Sequence, residues 1–382
     1  MRKLAIVTTH PIQYYIPVFQ LLAKHIPLKV FYTGGTAGMN KYDKGFNKRI
    51  SWDIPLLQGY DFEFIPNYAY SPGSHHFLGI LNLNAARQIR NFSPSTLLIY
   101  GWAYLSHLTL ILSFKHKLPI LFRGDSKLIQ GKSRIKGFLK CLLLRRTYRH
   151  VYKALYVGTA NCAYFNTYGL TELQLAFAPH AIDNIRFSED RSSEVHSLRQ
   201  ELGIRAEEIV VLFTGKLLEI KNPALLINAF CSMNIPDTHL LIVGSGLLEQ
   251  ELKILASRKS SSRSIHFLPF QNQSRMPVIY QACDLFCIPT KAPGETWGLA
   301  VNEAMAAGRA ILASDEVGSA VDLVSAENGL IFKSDNLIDL TQKLTGLVAS
   351  KNELTRLGEN SKQKIAEWSL EKQVHQILAQ VN

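Results

Sequence analysis

The sequence predicts an α/β protein of two domains, each a parallel sheet doubly wound by helices. Three observations carry this. Short continuous apolar runs alternate with helical patterns along most of the chain, as in successive β-α-β units. Composition turns polar once between two such series, over 181–204, with Asp183, Asn184 and the run 188–193. A chain of 382 residues with 47% hydrophobic and 19% charged content is long and apolar enough for two cores, and too apolar for disorder. The expected domains are 1–190 and 191–368, with a last helix in 369–382.

In the first half, apolar runs at 4–9, 28–33, 96–101, 118–124 and 154–159 read as strands. They are continuous because a parallel strand is covered on both faces. Helical patterns fall at 17–25, 83–92 and 133–152. Residues 34–74 break the rhythm with Gly, Asn, Lys and aromatics, and read as a long excursion on the cleft side. In the second half, strands are expected at 208–215, 238–244, 284–290 and 310–315. Helices are expected at 223–230, 247–257, 299–307, 337–349 and 353–368, then at 370–380.

Bulk properties narrow the setting. The five cysteines are odd in number, scattered and without zinc-type spacing, which fits a reducing cytoplasm. Cys283 and Cys287 lie in an apolar run and read as packed core. The apolar start of the chain is cut by His10, Pro11 and Gln13, too early for a secretory signal. No stretch reaches the ~18 apolar residues of a membrane span. Net charge is +12, and eight Lys or Arg without an acid crowd 131–153, interleaved with Phe138, Leu139, Leu142, Leu143 and Leu144. Two readings stay open: contact with an anionic membrane surface, or a packed helix with a solvated basic side. No nucleic-acid motif accompanies the charge, so no nucleic-acid partner is expected.

The most informative stretch is Gly294-Glu-Thr-Trp-Gly-Leu-Ala-Val-Asn-Glu-Ala-Met-Ala-Ala-Gly308. It follows a strand and reads as a turn and an Ala-rich helix stopped by glycine. Glu295 and Glu303 stand eight apart around the helix start at Gly298-Leu299, where free backbone N–H groups make an anion seat. A phosphate seat flanked by two hydroxyl-binding carboxylates suits a sugar nucleotide. Upstream, Gly215-Lys216 and Lys221 follow another strand and can converge on one anion.

Together these motifs resemble the retaining glycosyltransferases of family 4, the glycosyl transferase group 1, which have the GT-B fold: two Rossmann-like domains facing a central cleft. The resemblance is strong over 208–332 and weak over the first half. It implies transfer of a sugar from a nucleotide-diphosphate donor to an acceptor, a lipid-linked or polysaccharide intermediate of cell-surface glycan synthesis. The roles it implies are Glu295, Lys216 and Lys221 as catalytic residues, and Glu303, Gly215, Gly244, Phe270, Thr296, Trp297, Gly298 and Leu299 as donor contacts. Lys216 stands where the family has Arg, which keeps the charge and loses the bidentate fork. Pro269-Phe270 replaces a usual Gly, and Gly318-Ser-Ala320 lacks the common Gly-Gly.

On the acceptor side the same resemblance points to His10, Gln13, Trp102, Arg123 and Asp125. His10 reads equally as an ordinary loop histidine. Arg123 and Asp125 could instead pair with each other, and acceptor or phosphate contact is the favoured reading. Pro179-His-Ala-Ile-Asp183 matches the segment that leads to the family's linker, with His180 replacing Asn. No Asp-x-Asp is present, so no metal and no cofactor are expected. The last helix is placed back on the first domain by resemblance. The expected location is cytoplasmic, peripheral on the inner membrane face if 131–153 engages lipid. The alternatives are a nucleotide-sugar epimerase of the same fold and a non-catalytic sugar-nucleotide-binding partner.

Overall fold

The computed structural model describes residues 2–36, 42–128, 134–259 and 262–381, and only the backbone at 134–136 and 262. In chain order its elements are β1 (Leu4–Thr8), α1 (Ile16–Ala23), β2 (Leu28–Tyr32), the short pair β3 (Tyr42–Asp43) and β4 (Lys48–Arg49), β5 (Asp61–Phe64), α2 (Ala85–Phe92), β6 (Thr96–Tyr100), α3 (Leu105–Phe114), β7 (Ile120–Arg123), α4 (Arg134–Tyr148), β8 (Lys153–Tyr156), α5 (Thr159–Thr167) and β9 (Leu175–Phe177). They continue with α6 (Asn184–Ser188), α7 (Ser192–Glu201), β10 (Ile209–Thr214), α8 (Pro223–Met233), β11 (Thr238–Val243), α9 (Glu249–Ser257), β12 (Ile265–Leu268), α10 (Met276–Gln281), β13 (Leu285–Ile288), α11 (Leu299–Ala306), β14 (Ala310–Ser314), α12 (Ala320–Leu323), β15 (Gly329–Phe332), α13 (Leu337–Val348), α14 (Lys351–Ile365) and α15 (Leu370–Leu378).

Two compact units result. The first holds the described residues up to 36, then 54–180, and those from 370 on. Its seven strands are parallel, in the order β5-β2-β1-β6-β7-β8-β9. Val7, Phe31, Leu97, Ile99 and Phe122 of the sheet pack with Ile111 and Phe114 of α3. α15 lies on α1, its buried Val374 and Ile377 one turn apart on the same face.

The second unit holds 42–53 and 181–369. Its six strands are also parallel, in the order β12-β11-β10-β13-β14-β15. Cys287 of β13 is buried in its core and Cys283 just before that strand is equally buried, so neither is placed as a ligand. Residues 181–190, assigned above to the first domain, pack here: Arg186 donates to Gln273 at 2.8 Å and the Phe187 ring meets Tyr280. Residues 42–53, part of the long excursion, pack here too.

Among the described residues all nine interior strands coincide with apolar runs in the sequence. Of the strands that the sequence reading omits, β5, β9, β12 and β15 are the edges of the two large sheets, and β3 and β4 are the short pair in the excursion. Edge strands bury less and mix polar residues in, as in the half-exposed Asp61-Phe-Glu-Phe64.

Buried histidines make the first unit pH-sensitive, and His107 shows how. His107 on α3 is fully buried. Its Nδ1 lies 3.0 Å from Gly101 O, which can only accept, so Nδ1 carries the proton and Nε2 accepts from Thr33 Oγ1 at 3.0 Å. Burial pushes its pKa down to about 4, against the opposing hydrogen bonds to the backbone at Gly101 and Tyr100. The unfolded chain, with a histidine pKa near ~6.5, therefore takes up the proton first. The contribution to stability is whole above about pH 6.5 and falls toward pH 4, by roughly 3 kcal/mol across the window. Thermal melts at pH 7.5 and 5 should show a smaller drop in His107→Gln than in the parent. Equal drops would remove His107 as a cause.

Candidate functional site

The strand order of the second unit reverses at β10. β11 and β12 lie on one side of it, β13 to β15 on the other. The connections leaving the carboxyl ends of β10 and β13 therefore diverge, and a crevice opens between them. Most of the donor residues marked in the sequence come from those two connections, with Gly244 after β11 and Phe270 after β12. Gly215, Lys216 and Lys221 follow β10; Glu295, Thr296, Trp297 and Gly298 follow β13; Leu299 starts α11 and Glu303 rides on it.

Main-chain bonds lock the connections together. Gly215 N donates to Val243 O, Leu217 N to Ser245 O and Gly244 N to Leu268 O, each at 3.0 Å. A Cβ on Gly244 would lie 1.9 Å from Gly215 O, and φ is +149°, so only glycine fits there. Phe270 N donates to Ser245 Oγ at 3.2 Å. On the other flank, Glu295 N donates to Glu316 O and Gly318 N to Glu295 O, both at 3.1 Å, which pins the turn before α11 to the residues after β14. Gly298 enters α11 at φ +94°, with Val317 Cγ1 3.0 Å from where a Cβ would be. The first turn of α11 then presents N–H groups that no helix carbonyl pairs, at the positive end of the dipole.

Each carboxylate has a fixed donor. Glu303 is 3% exposed and accepts from the Tyr280 hydroxyl at 2.8 Å. The Tyr280 oxygen lies 3.0 Å from Thr214 Oγ1, so Thr214 to Tyr280 to Glu303 forms one chain of hydrogen bonds. Tyr280 was not anticipated. Its only trace in the sequence is a hydroxyl set in the apolar helix Met276–Gln281, which on burial must find a partner. Glu295 Oε2 accepts from Lys221 Nζ and lies 3.5 Å from Thr290 Oγ1. Two expected catalytic residues are thus partners.

Lys216 is held by a residue far away in sequence. Its Nζ donates to Asp43 Oδ2 at 3.0 Å and stands 5.1 Å from the Phe46 ring centroid. Partial burial raises the Asp43 pKa, but Lys216 and the Gly45 and Phe46 N–H groups outweigh it and hold the carboxyl below its usual range. Phe270 is enclosed by the same segment. The Phe46 ring meets it edge-on at 4.9 Å, Trp52 is 6.0 Å away, and Lys48 Nζ lies 4.0 Å from its centroid. No local pattern in 42–53 signals these contacts.

Two residues expected at a ligand also have structural partners. The Trp297 ring is 2% exposed and donates Nε1–H to Asn302 Oδ1 at 2.9 Å, so it anchors the turn from inside the core. Arg123, 2% exposed in the first unit, donates Nη1 to Ala178 O at 2.8 Å and Nη2 to Pro179 O at 3.0 Å. It fixes the chain after β9.

The other first-unit candidates sit near a similar reversal, between β1 and β6. His10 and Gln13 follow β1, Trp102 follows β6 and Asp125 follows β7. His10 Nδ1 is 2.8 Å from Thr9 Oγ1. The Tyr15 ring lies 4.7 Å from Tyr100 and 6.4 Å from His180. Burial and the Arg123 charge push the His180 pKa down to about 4, with Asp125 opposing.

On α4, the exposed side chains from 137 on include Phe138, Leu139, Leu142 and Leu143, while Leu144, Thr147 and Tyr148 face inward. Lys140 Nζ lies 5.4–5.9 Å from the rings of Trp102, Tyr164 and Tyr168. Residues 131–133 of the basic stretch lie outside the described residues. Among the described residues no helix is long and apolar enough to cross a membrane, and no group of three or more His, Cys, Asp or Glu is placed to hold a metal.

Known proteins resemble this chain in sequence and in fold. Residues 195–364 match the family model of glycosyl transferases group 1. The D-inositol 3-phosphate glycosyltransferase of Nocardia farcinica is 30% identical over 200 residues, 50% of this chain and 43% of that protein. The match thus spans less than half of that relative's length. Among solved structures, Anabaena HepE in complex with UDP superposes with a TM-score of 0.78 at 18% identity, covering 99% of both chains. WaaG, a glycosyltransferase involved in lipopolysaccharide biosynthesis, superposes at 0.67 with 16% identity, again over 99% of each chain. The fold is that of the GT-B glycosyltransferases, and over residues 195–364 the chain is similar to the glycosyl transferases group 1.

Proposed function

We propose that this protein is a metal-independent, retaining glycosyltransferase that moves a sugar from a nucleotide-diphosphate donor to a lipid-linked or polysaccharide acceptor. The observation that supports it best is the convergence of Lys216, Lys221, Glu295, Glu303 and the α11 N-terminus on the β10–β13 switch point. Glu303, aimed by Tyr280, binds the ribose hydroxyls. Glu295 has Oε2 committed to Lys221 and offers Oε1 to the donor sugar. The bond between the anomeric carbon and the phosphate oxygen breaks while an acceptor hydroxyl forms its bond on the same face. The leaving diphosphate takes that hydroxyl's proton, and its charge is met by the two lysines and the helix end. The family-model match over 195–364 and the UDP held by HepE support a nucleotide-sugar donor. WaaG's part in lipopolysaccharide synthesis supports a cell-surface glycan acceptor.

Acceptor-dependent release of nucleoside diphosphate, in the presence of EDTA, tests this reading against an epimerase or a binding protein. Glu303→Ala should weaken donor binding by about 1.5–3 kcal/mol, as charge-assisted bonds are lost. Tyr280→Phe should cost about 1 kcal/mol by freeing that carboxylate. Glu295→Ala should act mainly on kcat. No release with any donor in a panel, or kinetics unchanged in all three variants, would overturn the assignment.

We place the acceptor at an anionic membrane surface reached by α4. Four exposed apolar side chains beside Arg145 and Arg149 favour lipid contact over a merely solvated helix. Co-sedimentation with anionic vesicles should fall steeply with salt and in a variant carrying Phe138→Ser, Leu142→Ser, Arg145→Gln and Arg149→Gln. Equal binding to neutral and anionic vesicles, or none to either, would return α4 to a solvated role.

A further inference from the structure

Both lysines of the donor site are already neutralised, but by different kinds of partner. Lys221 pairs with Glu295, which comes from the site's own connections. Lys216 pairs with Asp43, which comes from a separate hairpin, β3 and β4, laid across the loops after β10 and β12. The two ends of that hairpin segment are fastened unequally. At its far end Asn272 Nδ2 donates to Ser51 O at 2.7 Å, Ser274 N donates to the Asp53 carboxylate at 3.2 Å, and the Ser274 hydroxyl donates to the same group. At its near end the polar tie is the Lys216–Asp43 pair, with the side chains 36% and 32% exposed. A pair so exposed is weak and easily exchanged.

Resting on the donor reading above, we propose that residues 42–53 are a strap over the donor site in which Asp43 stands in for a donor phosphate, so that a nucleoside diphosphate opens the strap by taking Lys216. The exchange leaves no buried charge stranded. Asp43 Oδ1 already accepts from Gly45 N at 2.8 Å and Phe46 N at 3.1 Å, bonds internal to the hairpin that survive release. Lys216 passes from a carboxylate oxygen to a phosphate oxygen. Opening also lifts Phe46 and Lys48 from the Phe270 ring and frees that face for a flat aromatic group. A neutral nucleoside has no anion to offer Lys216 and leaves the strap in place.

Trp52, in the strap and 6.0 Å from Phe270, reports the movement. The experiment titrates the full chain with UDP, GDP and ADP, and with uridine as the uncharged probe, following tryptophan fluorescence with Trp52→Phe as the blank. A diphosphate should shift the Trp52 signal and uridine should not. Asp43→Asn keeps the Oδ1 acceptor of the hairpin and removes the charge, and should bind the same diphosphate about fivefold more tightly. Its unliganded Trp52 signal should already lie toward the liganded value. Asp43→Ser should behave alike, which covers a folding defect of either variant as judged by circular dichroism. Unchanged or weaker binding in the folded variants, or a Trp52 signal indifferent to saturating diphosphate, would overturn the strap. Binding of no diphosphate to parent or variants would overturn the donor reading, and the strap with it.

Discussion

Everything on the donor side depends on how close two backbones come at the carboxyl end of β10. The turn after β10 and the turn after β11 touch at Gly215 O and Gly244, where no Cβ has room. That contact draws the β11 and β12 loops to one side, while β13 departs on the other. The crevice is therefore a consequence of sheet order and one glycine, and the lysines, the helix end and the two glutamates inherit their positions from it. The same logic explains why the opposite flank is pinned by main-chain bonds between 295–297 and 316–319. A site meant to meet developing charge works best when its dipoles are fixed beforehand, because nothing then needs to reorganise.

The sequence disclosed what is local and hid what is not. Interior strands are covered on both faces and so had to be apolar runs; β1, β6, β10 and β13 are visible for that reason. Edge strands such as β5 and β12 carry Asp, Glu and His on half-exposed positions, and no pattern sets them apart from loops. α3 was missed for the opposite cause. Its run Leu105–Phe114 is apolar on nearly every side, so it lacks the stripe that marks a surface helix.

The site divides in the same way. Glu295, Gly298 and Glu303 lie within nine consecutive residues, where spacing alone suggests their chemistry. Tyr280 reaches Glu303 from another helix, and Asp43 reaches Lys216 across 173 positions. Only folding brings such partners together. Trp297 and Arg123 add a role that local sequence does not show: both side chains hold the loops they lie in or beside.

A lysine at 216, where the resemblance implies an arginine, gains a physical meaning from this arrangement. An arginine would grip the Asp43 carboxylate through two parallel N–H bonds, in one fixed plane. A lysine is a point charge on a flexible stem, and it gives up one oxygen for another with little geometric cost. The fork lost toward the diphosphate is also lost toward Asp43, so the substitution weakens both partners of the exchange. What it preserves is the difference between them, a single carboxylate charge against the greater charge of a diphosphate. That difference is set by Coulomb attraction and hardly by geometry, and it is what a strap whose near end is tied by one ion pair needs in order to yield to the donor and to nothing neutral.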